Sequence, residues 1–355
     1  MIGFVGMRID SNSLVIMTSE YLLFPKAVPN LLSIVIPLFN EAPMISLLRE
    51  RLTAFTANLP CPCELILVND GSTDNTLREL RAWAREQMDI VVIELSRNFG
   101  HQAAATAGLD HACGDAIVLM DADLQDPPEV VLEMLREYCN GYEVVYAQRT
   151  HRLGEGRFKR ASAWAFYRLM RLVVDKRLPP DTGDFRLISR QCLNTLSSMR
   201  EQHRFLRGMV AWVGFPQKAV FFVRSPRAAG ETKYPFRKIL RFAWTAAISF
   251  SPAPLRVVFA MGSLVALIGL LAGAYSLAAL FLGLRVTPGW TSIMVTQSII
   301  GSFILIGIGV TGEYIAKIYE ESKGRPLYVV DLIRSHDARA SKGNTGTKGL
   351  TAKPS

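Results

Sequence analysis

Residues 116–126 read Ala-Ile-Val-Leu-Met-Asp-Ala-Asp-Leu-Gln-Asp, an apolar run that changes abruptly into acidic and polar residues. The apolar half predicts a buried strand over Ala116–Met120. Asp121 and Asp123 flank a single residue directly after it. In extended geometry both carboxylates would point the same way and could share a hard divalent cation, Mg²⁺ or Mn²⁺, with Gln125 adding a neutral oxygen. An Asp-x-Asp pair also occurs by chance in many proteins, so its setting decides its meaning.

The chain around this stretch alternates short β-rich runs with amphipathic helical patterns, which predicts an α/β fold with an open, mostly parallel sheet. The other strands we predict are Leu32–Pro37, Glu64–Val68, Ile90–Leu95, Glu143–Ala147 and Ala219–Val223. Ligands of such sheets bind beyond the carboxyl ends of the strands. Polar and acidic residues fill the loops at 37–41, 69–74 and 121–126, so we expect these loops to meet at one edge and form the site.

Two acidic residues of these loops have a purely structural alternative. Asp74 and Asp126 each precede a helical pattern, and a carboxylate in that place commonly caps a helix. Asp126 is followed by Pro127, Pro128 and Glu129, which predicts a helix start with Asp126 as the cap and Glu129 completing a capping box. For these two residues, taken alone, we favour capping over ligand binding.

The composition indicates a soluble domain joined to a lipid-facing segment. Of the 355 residues 50% are hydrophobic and 20% charged, and the net charge is +9. Such a charge suits nucleic acid or an anionic membrane; the hydrophobic segments favour the membrane, and we expect no nucleic-acid partner. The five cysteines form no CxxC pair, which favours a reduced, cytosolic setting.

Several common catalytic signatures do not occur in the sequence. It contains no G-x-G-x-x-G after a strand, no G-x-x-x-x-G-K-[ST] and no G-x-S-x-G. The five histidines are scattered without metal-ligand spacing, so we assign none of them a catalytic role. Bound phosphates must then be held by a metal and by cationic side chains.

Two apolar segments predict a membrane hairpin. Val257–Leu284 is 28 residues long and carries no charge, and Val286–Gly312 carries none either. About 20 apolar residues suffice to cross the hydrocarbon core. Basic residues flank the hairpin on both sides and Arg285 is the single charge at its tip, which predicts cytoplasmic termini and a cytoplasmic catalytic domain. The alternative is a buried helical hairpin within a soluble core.

These patterns divide the chain into five predicted parts. Residues 1–30 form a loose extension, 31–232 the catalytic domain with an acceptor-side region, 233–256 an amphipathic interfacial segment, 257–312 the two membrane helices, and 313–355 a cytoplasmic tail, partly disordered. The interfacial segment combines aromatic and basic residues, as helices at a membrane surface do. A surface helix packed on its own domain would show the same pattern.

Three motifs together resemble the family 2 glycosyltransferases of the GT-A fold. They are Ile36-Pro-Leu-Phe-Asn-Glu41, Val68-Asn-Asp-Gly-Ser-Thr-Asp74 and Asp121-Ala-Asp-Leu-Gln-Asp-Pro-Pro-Glu129. Within the family the likeness is to the polyprenyl-phosphate glycosyltransferases, a group that includes bactoprenol glucosyltransferases and dolichol-phosphate mannose synthases. The resemblance covers roughly residues 31–330.

This resemblance implies a role for each motif residue on the donor side. Contacts to the base and ribose of a nucleotide sugar would come from Pro37, Asn40, Glu41 and Asp70. Asp121 would span the ribose and the metal, and Asp123 with Gln125 would complete the metal site. The implied cofactor is Mg²⁺ or Mn²⁺.

The same resemblance extends to the acceptor side. Residues 181–187, Asp-Thr-Gly-Asp-Phe-Arg-Leu, resemble the family's acceptor motif and place Asp184 near the transferred sugar. An ordinary turn before a strand at Phe185–Ser189 is the alternative. The implied catalytic residues are then Asp123, Asp184, Arg227 and Lys233.

Cationic residues would hold the two phosphate groups. Arg227 and Lys233 resemble the family's flexible loop that closes on the diphosphate, although a cationic loop can also bind lipid headgroups alone. The residues that resemble an acceptor-phosphate cluster are Arg149, Lys159 and Arg160, for which a solvated basic face is the alternative.

The implied reaction is the inverting transfer of a hexose to polyprenyl (undecaprenyl) phosphate at the cytoplasmic side of the cell (inner) membrane. UDP-glucose is favoured as the donor. The alternatives are a GDP-mannose-dependent synthase, another UDP-sugar, a processive synthase, a transferase with a protein acceptor, and a non-catalytic membrane adaptor. The enzyme would contact membrane lipids, and a homo-oligomer, either a dimer or a tetramer, is compatible with this interpretation.

Overall fold

The computed structural model of the protein describes residues 16–18, 21–149, 182–223, 253–282 and 289–335. These residues belong to two compact units. The first unit contains a β-sheet with its covering helices, and the second contains two long helices.

The first unit has ten described strands. They are β1 Ile16–Thr18, β2 Tyr21–Leu23, β3 Leu32–Leu38, β4 Cys63–Asn69, β5 Ile90–Leu95, β6 Ala116–Leu119, β7 Val144–Arg149, β8 Thr182–Ser189, β9 Gln217–Phe222 and β10 Val330–Ser335. β1 and β2 form a short antiparallel pair, and the other eight form one sheet in the order β10-β5-β4-β3-β6-β8-β7-β9. β8 and β10 run against the other six strands, which confirms the prediction of a mostly parallel sheet.

Helices cover both faces of this sheet. They are α1 Ala42–Thr56, α2 Thr76–Glu86, α3 His101–His111, α4 Val130–Cys139, α5 Arg190–Ser198 and α6 Leu206–Val213. One apolar core lies between the sheet and α1, α2 and α4, and a second between the sheet and α3, α5 and α6. Alternate residues of β3 serve the two cores: Ile34 and Ile36 pack into the first, and Val35 into the second. The apolar strands are long runs because both of their faces are buried.

The predicted strand positions are confirmed to within a few residues, but the helix start at Asp126 was wrong. Helix α4 begins at Val130, and Glu129 stands at its N-cap position without a side-chain cap. Asp126 is instead buried, with its carboxylate 3.7 Å from the guanidinium of Arg149. Glu129 pairs with Arg51 on α1 at 2.8 Å. Both carboxylates are therefore drawn to arginines rather than to helix N–H groups.

The ends of the chain contribute more to the first unit than the sequence predicted. Leu23 is buried in the first core, and Lys26 pairs with Glu143 at 2.6 Å, so the described residues 21–30 of the predicted extension are packed rather than loose. Strand β10 lies in the predicted tail, yet it pairs with β5 at the edge of the sheet. Tyr328, just before β10, donates a hydrogen bond to Asp110 on α3 at 2.8 Å.

The second unit contains helices α7 Ala253–Phe281 and α8 Trp290–Ser322. Both are long and apolar enough to cross a membrane, over Pro254–Ala272 and Ile299–Ser322, and little of either window is buried within the protein. The second helix continues ten residues beyond the predicted end of the span at Gly312, through Glu313 and into a charged last stretch. Residues 283–288, at the tip of the predicted hairpin, and most of the segment 233–256 lie outside the described residues.

Candidate active site

The loops after β3 and β4 are joined to each other by hydrogen bonds. Asn40 adopts a left-handed backbone conformation with φ of 55°, which asparagine tolerates better than most residues. Its side-chain oxygen accepts from the N–H of Thr73 at 2.9 Å, and its own N–H donates to the Ser72 hydroxyl at 3.0 Å. Pro37 is buried at the end of β3, and Glu41 stands at the N-cap position of α1. The predicted nucleotide-binding residues of these loops therefore share one edge of the sheet.

Asp74 accepts hydrogen bonds at the starts of two helices, as the capping interpretation predicted. One carboxylate oxygen accepts from the N–H of Ala42 at 3.2 Å, and the other from the N–H of Thr76 at 3.0 Å. These are the first residues of α1 and α2, whose initial N–H groups have no partner within the helix. Burial alone would raise the pKa of Asp74, but these hydrogen bonds outweigh it and lower the pKa.

Asp70 holds the loop between β5 and α3. It is almost completely buried, and its two oxygens accept from the backbone N–H groups of Phe99 at 2.7 Å and Gly100 at 2.9 Å. The neighbouring Gly71 has φ of 63°, and a Cβ there would lie 2.4 Å from the carbonyl carbon of Arg97. Asp70 was predicted to contact the nucleotide. Its carboxylate also fixes the backbone of this loop, and its contact to the nucleotide stays a prediction.

Asp121 and Asp123 lie in a turn, not in the extended conformation that the sequence predicted. Strand β6 ends at Leu119, and Leu124 has φ of 53°. Asp123 accepts a hydrogen bond from the backbone N–H of Gln125 at 3.1 Å, and the Gln125 side chain is buried. Burial raises the pKa of Asp121, and the negative charges of Asp184 and Asp123 raise it further. The negative charges of Asp121 and Asp123 thus act unfavourably on each other.

Asp184 lies on β8, the strand that pairs with β6. Its carboxylate is only 9% exposed. One oxygen accepts from Nε2 of Gln102 at 3.0 Å, and the other from Nε of Arg207 at 3.2 Å. Burial would raise the pKa of Asp184, but the hydrogen bond from His101 and the charges of Arg207 and Arg186 hold the pKa well below its usual range. Asp184 is therefore an anchored anion and a poor proton acceptor.

His101 stands between the two carboxylates. Its Nε2 lies 3.2 Å from Oδ2 of Asp184 and 3.6 Å from Oδ1 of Asp121. Burial would lower the pKa of His101, but the hydrogen bond to Asp184 and the charges of both aspartates outweigh it and raise the pKa. The imidazole is 43% exposed, so one side of the ring remains open to solvent or substrate.

The structure describes one of the predicted acceptor-phosphate residues. Arg149 ends β7, and its guanidinium lies beside Gly183, because a Cβ at Gly183 would be 3.2 Å from it. The positive charge of Arg149 partly offsets the effects that raise the pKa of Asp121. The predicted residues Lys159, Arg160, Arg227 and Lys233 lie outside the described residues.

Sequence reasoning missed three residues of this site: His101, Gln102 and Arg207. The first two open α3 directly after the loop that Asp70 holds, and Arg207 lies on the first turn of α6. The available signal was a polar pair at the end of the loop that follows the predicted strand Ile90–Leu95. Arg204 lies near α6 but donates to the carbonyls of Leu196 and Met199, both at 2.7 Å.

The sequence is similar to known proteins over the region that contains this site. The model of glycosyl transferase family 2 matches residues 33–197. The uncharacterized glycosyltransferase YkcC of Bacillus subtilis is 45% identical over 301 residues, which are 84% of this chain and 92% of that protein. The chain belongs to glycosyl transferase family 2. It is thus a glycosyltransferase, and the predicted GT-A fold is confirmed.

Other relatives in this family carry more specific names. The bactoprenol glucosyl transferase of Shigella phage SfV is 38% identical over 84% of this chain and 97% of its own length. The prophage bactoprenol glucosyl transferase homolog of Escherichia coli K12 is 36% identical over 85% of this chain and 99% of its own. Among solved structures, the mannosyltransferase PcManGT of Pyrobaculum calidifontis, with GDP-Man and Mn²⁺, aligns over 80% of this chain and 88% of its own at 18% identity and a TM-score of 0.42.

Proposed function

We propose that this glycosyltransferase transfers glucose from UDP-glucose to polyprenyl phosphate, with inversion, at the cytoplasmic side of the membrane. The observation that carries the proposal is the 38% identity to a bactoprenol glucosyl transferase over 97% of that protein's length. The alignment covers 299 residues of this chain, more than the sheet domain alone can supply. A relative that shares only the nucleotide-sugar domain would align over far less.

The site suits an acceptor that is already ionised. The second pKa of a phosphate monoester is near 6, so the lipid phosphate carries a nucleophilic oxygen at neutral pH. That oxygen forms a bond to the anomeric carbon, the bond from this carbon to the diphosphate breaks, and UDP leaves with the electron pair. The anchored Asp184, whose pKa is held low, is unsuited to removing a proton, and this reaction does not need one removed.

The acidic turn suits a divalent cation. We assign Asp121 and Asp123 as its carboxylate ligands, with the amide oxygen of Gln125 as a third protein ligand, and a bound cation would relieve the repulsion between the two carboxylates. When bound, Mg²⁺ or Mn²⁺ would neutralise charge on the departing diphosphate. The described residues contain no cluster of three or more His, Cys, Asp or Glu side chains that could hold a metal ion, at this turn or elsewhere, so the proposed site has only two carboxylate ligands.

Cations around the site would hold the two phosphate groups. Arg149 lies beside Gly183 and its charge acts on Asp121, so it is assigned to the acceptor phosphate, together with the predicted residues Lys159 and Arg160. Arg227 and Lys233 are assigned to the diphosphate, as the family resemblance implies. Each cation would lower the repulsion between the two anionic substrates, which is a requirement of this reaction.

The order of the strands supports a membrane hairpin with both ends on one side. The chain leaves the sheet after β9 and returns to it as β10, and both α7 and α8 lie between these strands. A sheet cannot straddle a bilayer, because its backbone would meet hydrocarbon. If α7 and α8 each cross the membrane, the residues before and after them must lie on the same side. We place that side in the cytoplasm, where nucleotide sugars are made.

The test is a panel of donors with one lipid acceptor. The full-length protein in detergent or vesicles is given polyprenyl phosphate with UDP-glucose, UDP-galactose, UDP-N-acetylglucosamine or GDP-mannose, and the organic extract is analysed by mass spectrometry. We expect a lipid product larger than the acceptor by one hexose with UDP-glucose. A product formed with GDP-mannose alone would replace the donor assignment, and no lipid product with any donor would refute the proposed function.

A further inference from the structure

The carboxylate of Asp184 is unusually well held for a residue at a strand end. Side chains from two helices, His101 and Gln102 of α3 and Arg207 of α6, all reach it. Gln102 also accepts from the N–H of Leu206 at 3.0 Å, so it joins the first turn of α6 to the carboxylate. A buried carboxylate with this many donors cannot reorient, and its position in the site is therefore fixed.

His101 differs from the other two donors in its exposure and reach. Gln102 and Arg207 contact Asp184 alone of the two site aspartates, by the bonds described above, whereas Nε2 of His101 also lies 3.6 Å from Asp121. Asp121 belongs to the turn assigned to the metal and donor, and Asp184 to the acceptor side. The imidazole therefore lies between the two halves of the site.

The backbone before His101 is itself held in place. The Asp70 carboxylate binds the N–H groups of the two preceding residues, Phe99 and Gly100, at 2.7 and 2.9 Å. His101 is the first residue of α3, so its main chain is constrained by this clamp on one side and by the helix on the other. Because this backbone is fixed, the imidazole ring has a defined position. A hydrogen bond from the ring can therefore determine where the carboxylate that accepts it lies.

We propose that His101 is a positioning residue, which fixes the separation of Asp121 from Asp184 and so aligns the donor's anomeric carbon with the acceptor oxygen. It acts through the two carboxylates and takes no part in bond making. This inference rests on the proposed function, because the alignment matters only if both substrates meet at this site. A displacement of about 1 Å in such a site can cost about 100-fold in rate.

Three variants of the full-length enzyme test the inference: His101→Leu, His101→Gln and, as a matched control, His111→Leu. His111 lies at the other end of the same helix, where it contacts the carbonyl of Ala107 at 2.7 Å. Glutamine keeps an N–H group that can donate to Asp184, and leucine does not. The measurements are kcat and KM for UDP-glucose, with polyprenyl phosphate as the acceptor, and the thermal midpoint of each variant.

We expect His101→Leu to lower kcat by about 100-fold while KM for UDP-glucose stays within about threefold, because alignment is lost and donor binding is kept. His101→Gln should recover at least about tenfold of that loss, since one such hydrogen bond is worth about 1.4 kcal/mol, and His111→Leu should match the wild type. A merely structural histidine would lower the thermal midpoint, and glutamine would not rescue kcat.

The outcomes separate this inference from the proposed function. If the wild type transfers glucose to the lipid but His101→Leu keeps its kcat, or His101→Gln is as slow as His101→Leu, the positioning role is refuted and the function stands. If the wild type makes no lipid product, both are refuted. A rise in KM for UDP-glucose with kcat unchanged would also refute the role, because His101 would then be a donor-binding residue.

Discussion

The clamp formed by Asp70 can be broken by a single conservative change, Asp70→Asn. The carboxylate accepts two backbone N–H groups, of Phe99 at 2.7 Å and Gly100 at 2.9 Å, and is almost fully buried. An asparagine oxygen can keep one of these bonds. Its amide nitrogen is a hydrogen-bond donor and cannot accept. The second backbone N–H would face this nitrogen and would lose its acceptor. We expect the loop between β5 and α3 to open more often in this variant.

The size of the effect follows from those two hydrogen bonds. A bond to a charged group contributes about 1.5–3 kcal/mol, and a neutral one about 1 kcal/mol. Losing one charged bond and weakening the other would cost about 2–4 kcal/mol, and the lower desolvation cost of a buried amide offsets part of it. A net cost of about 2 kcal/mol corresponds to roughly 30-fold faster hydrogen exchange in the loop, since 1.4 kcal/mol is tenfold.

Hydrogen–deuterium exchange of the peptides covering 96–104 measures this directly. The control is Asp89→Asn, because Asp89 is an exposed aspartate at the other end of β5. We expect faster exchange in Asp70→Asn only, together with a lower kcat, because the loop delivers His101 to the site. Unchanged exchange combined with a large loss of UDP-glucose affinity would refute the clamp and show that Asp70 contacts the nucleotide directly.

Three further predictions concern the metal, the C-terminal strand and the cysteines. Asp123→Ala should abolish nearly all transfer, and full turnover of this variant in excess chelator would contradict the metal site. Tyr328→Phe, which removes the hydrogen bond to Asp110, should lower the free energy of unfolding by about 1 kcal/mol, as a thermal melt beside the wild type would show. With iodoacetamide at pH 8, exposed Cys113 should react well before Cys192, where burial raises the pKa to about 12, and mass mapping showing the reverse order would contradict the buried position.

The strands and the active-site edge could be predicted from the sequence because their signals are local. Apolar runs such as Ala116–Leu119 contain no polar residue, as expected for strands buried on both faces. The meeting of the loops at 37–41, 69–74 and 121–126 follows from the general rule for parallel sheets. Family motifs then supplied the ligand type, which the spacing of acidic residues alone left open.

The turn at Asp121 and the start of α4 were beyond such local rules. Strand β6 ends where its pairing ends, with Leu119 opposite Arg186 on β8, a partner far along the chain. The carboxylate of Asp126 is drawn to Arg149, which no local pattern places nearby. In both cases a tertiary contact outweighed the preference of the local sequence.

His101, Arg207 and strand β10 were missed for a related reason. Gln102 and Asp184 are 82 residues apart, and Arg207 and Asp184 are 23 apart, so their meeting depends on how β8 inserts beside β6. Strand β10 follows a long apolar helix, and an irregularity between Val330 and Leu332 interrupts its alternation of apolar and polar residues. Neither feature leaves a periodic signal in the sequence.

Transfer to a phosphorylated and to a neutral lipid tests the proposed chemistry most directly. Polyprenyl phosphate and the polyprenol of equal length are compared side by side, with labelled UDP-glucose and the full-length protein, and label is counted in the organic extract. We expect transfer to the phosphate alone, because its oxygen is already ionised, whereas the alcohol would need a base and Asp184 is held as an anion by its donors. Equal transfer to both lipids would contradict the mechanism, even with glucose as the sugar.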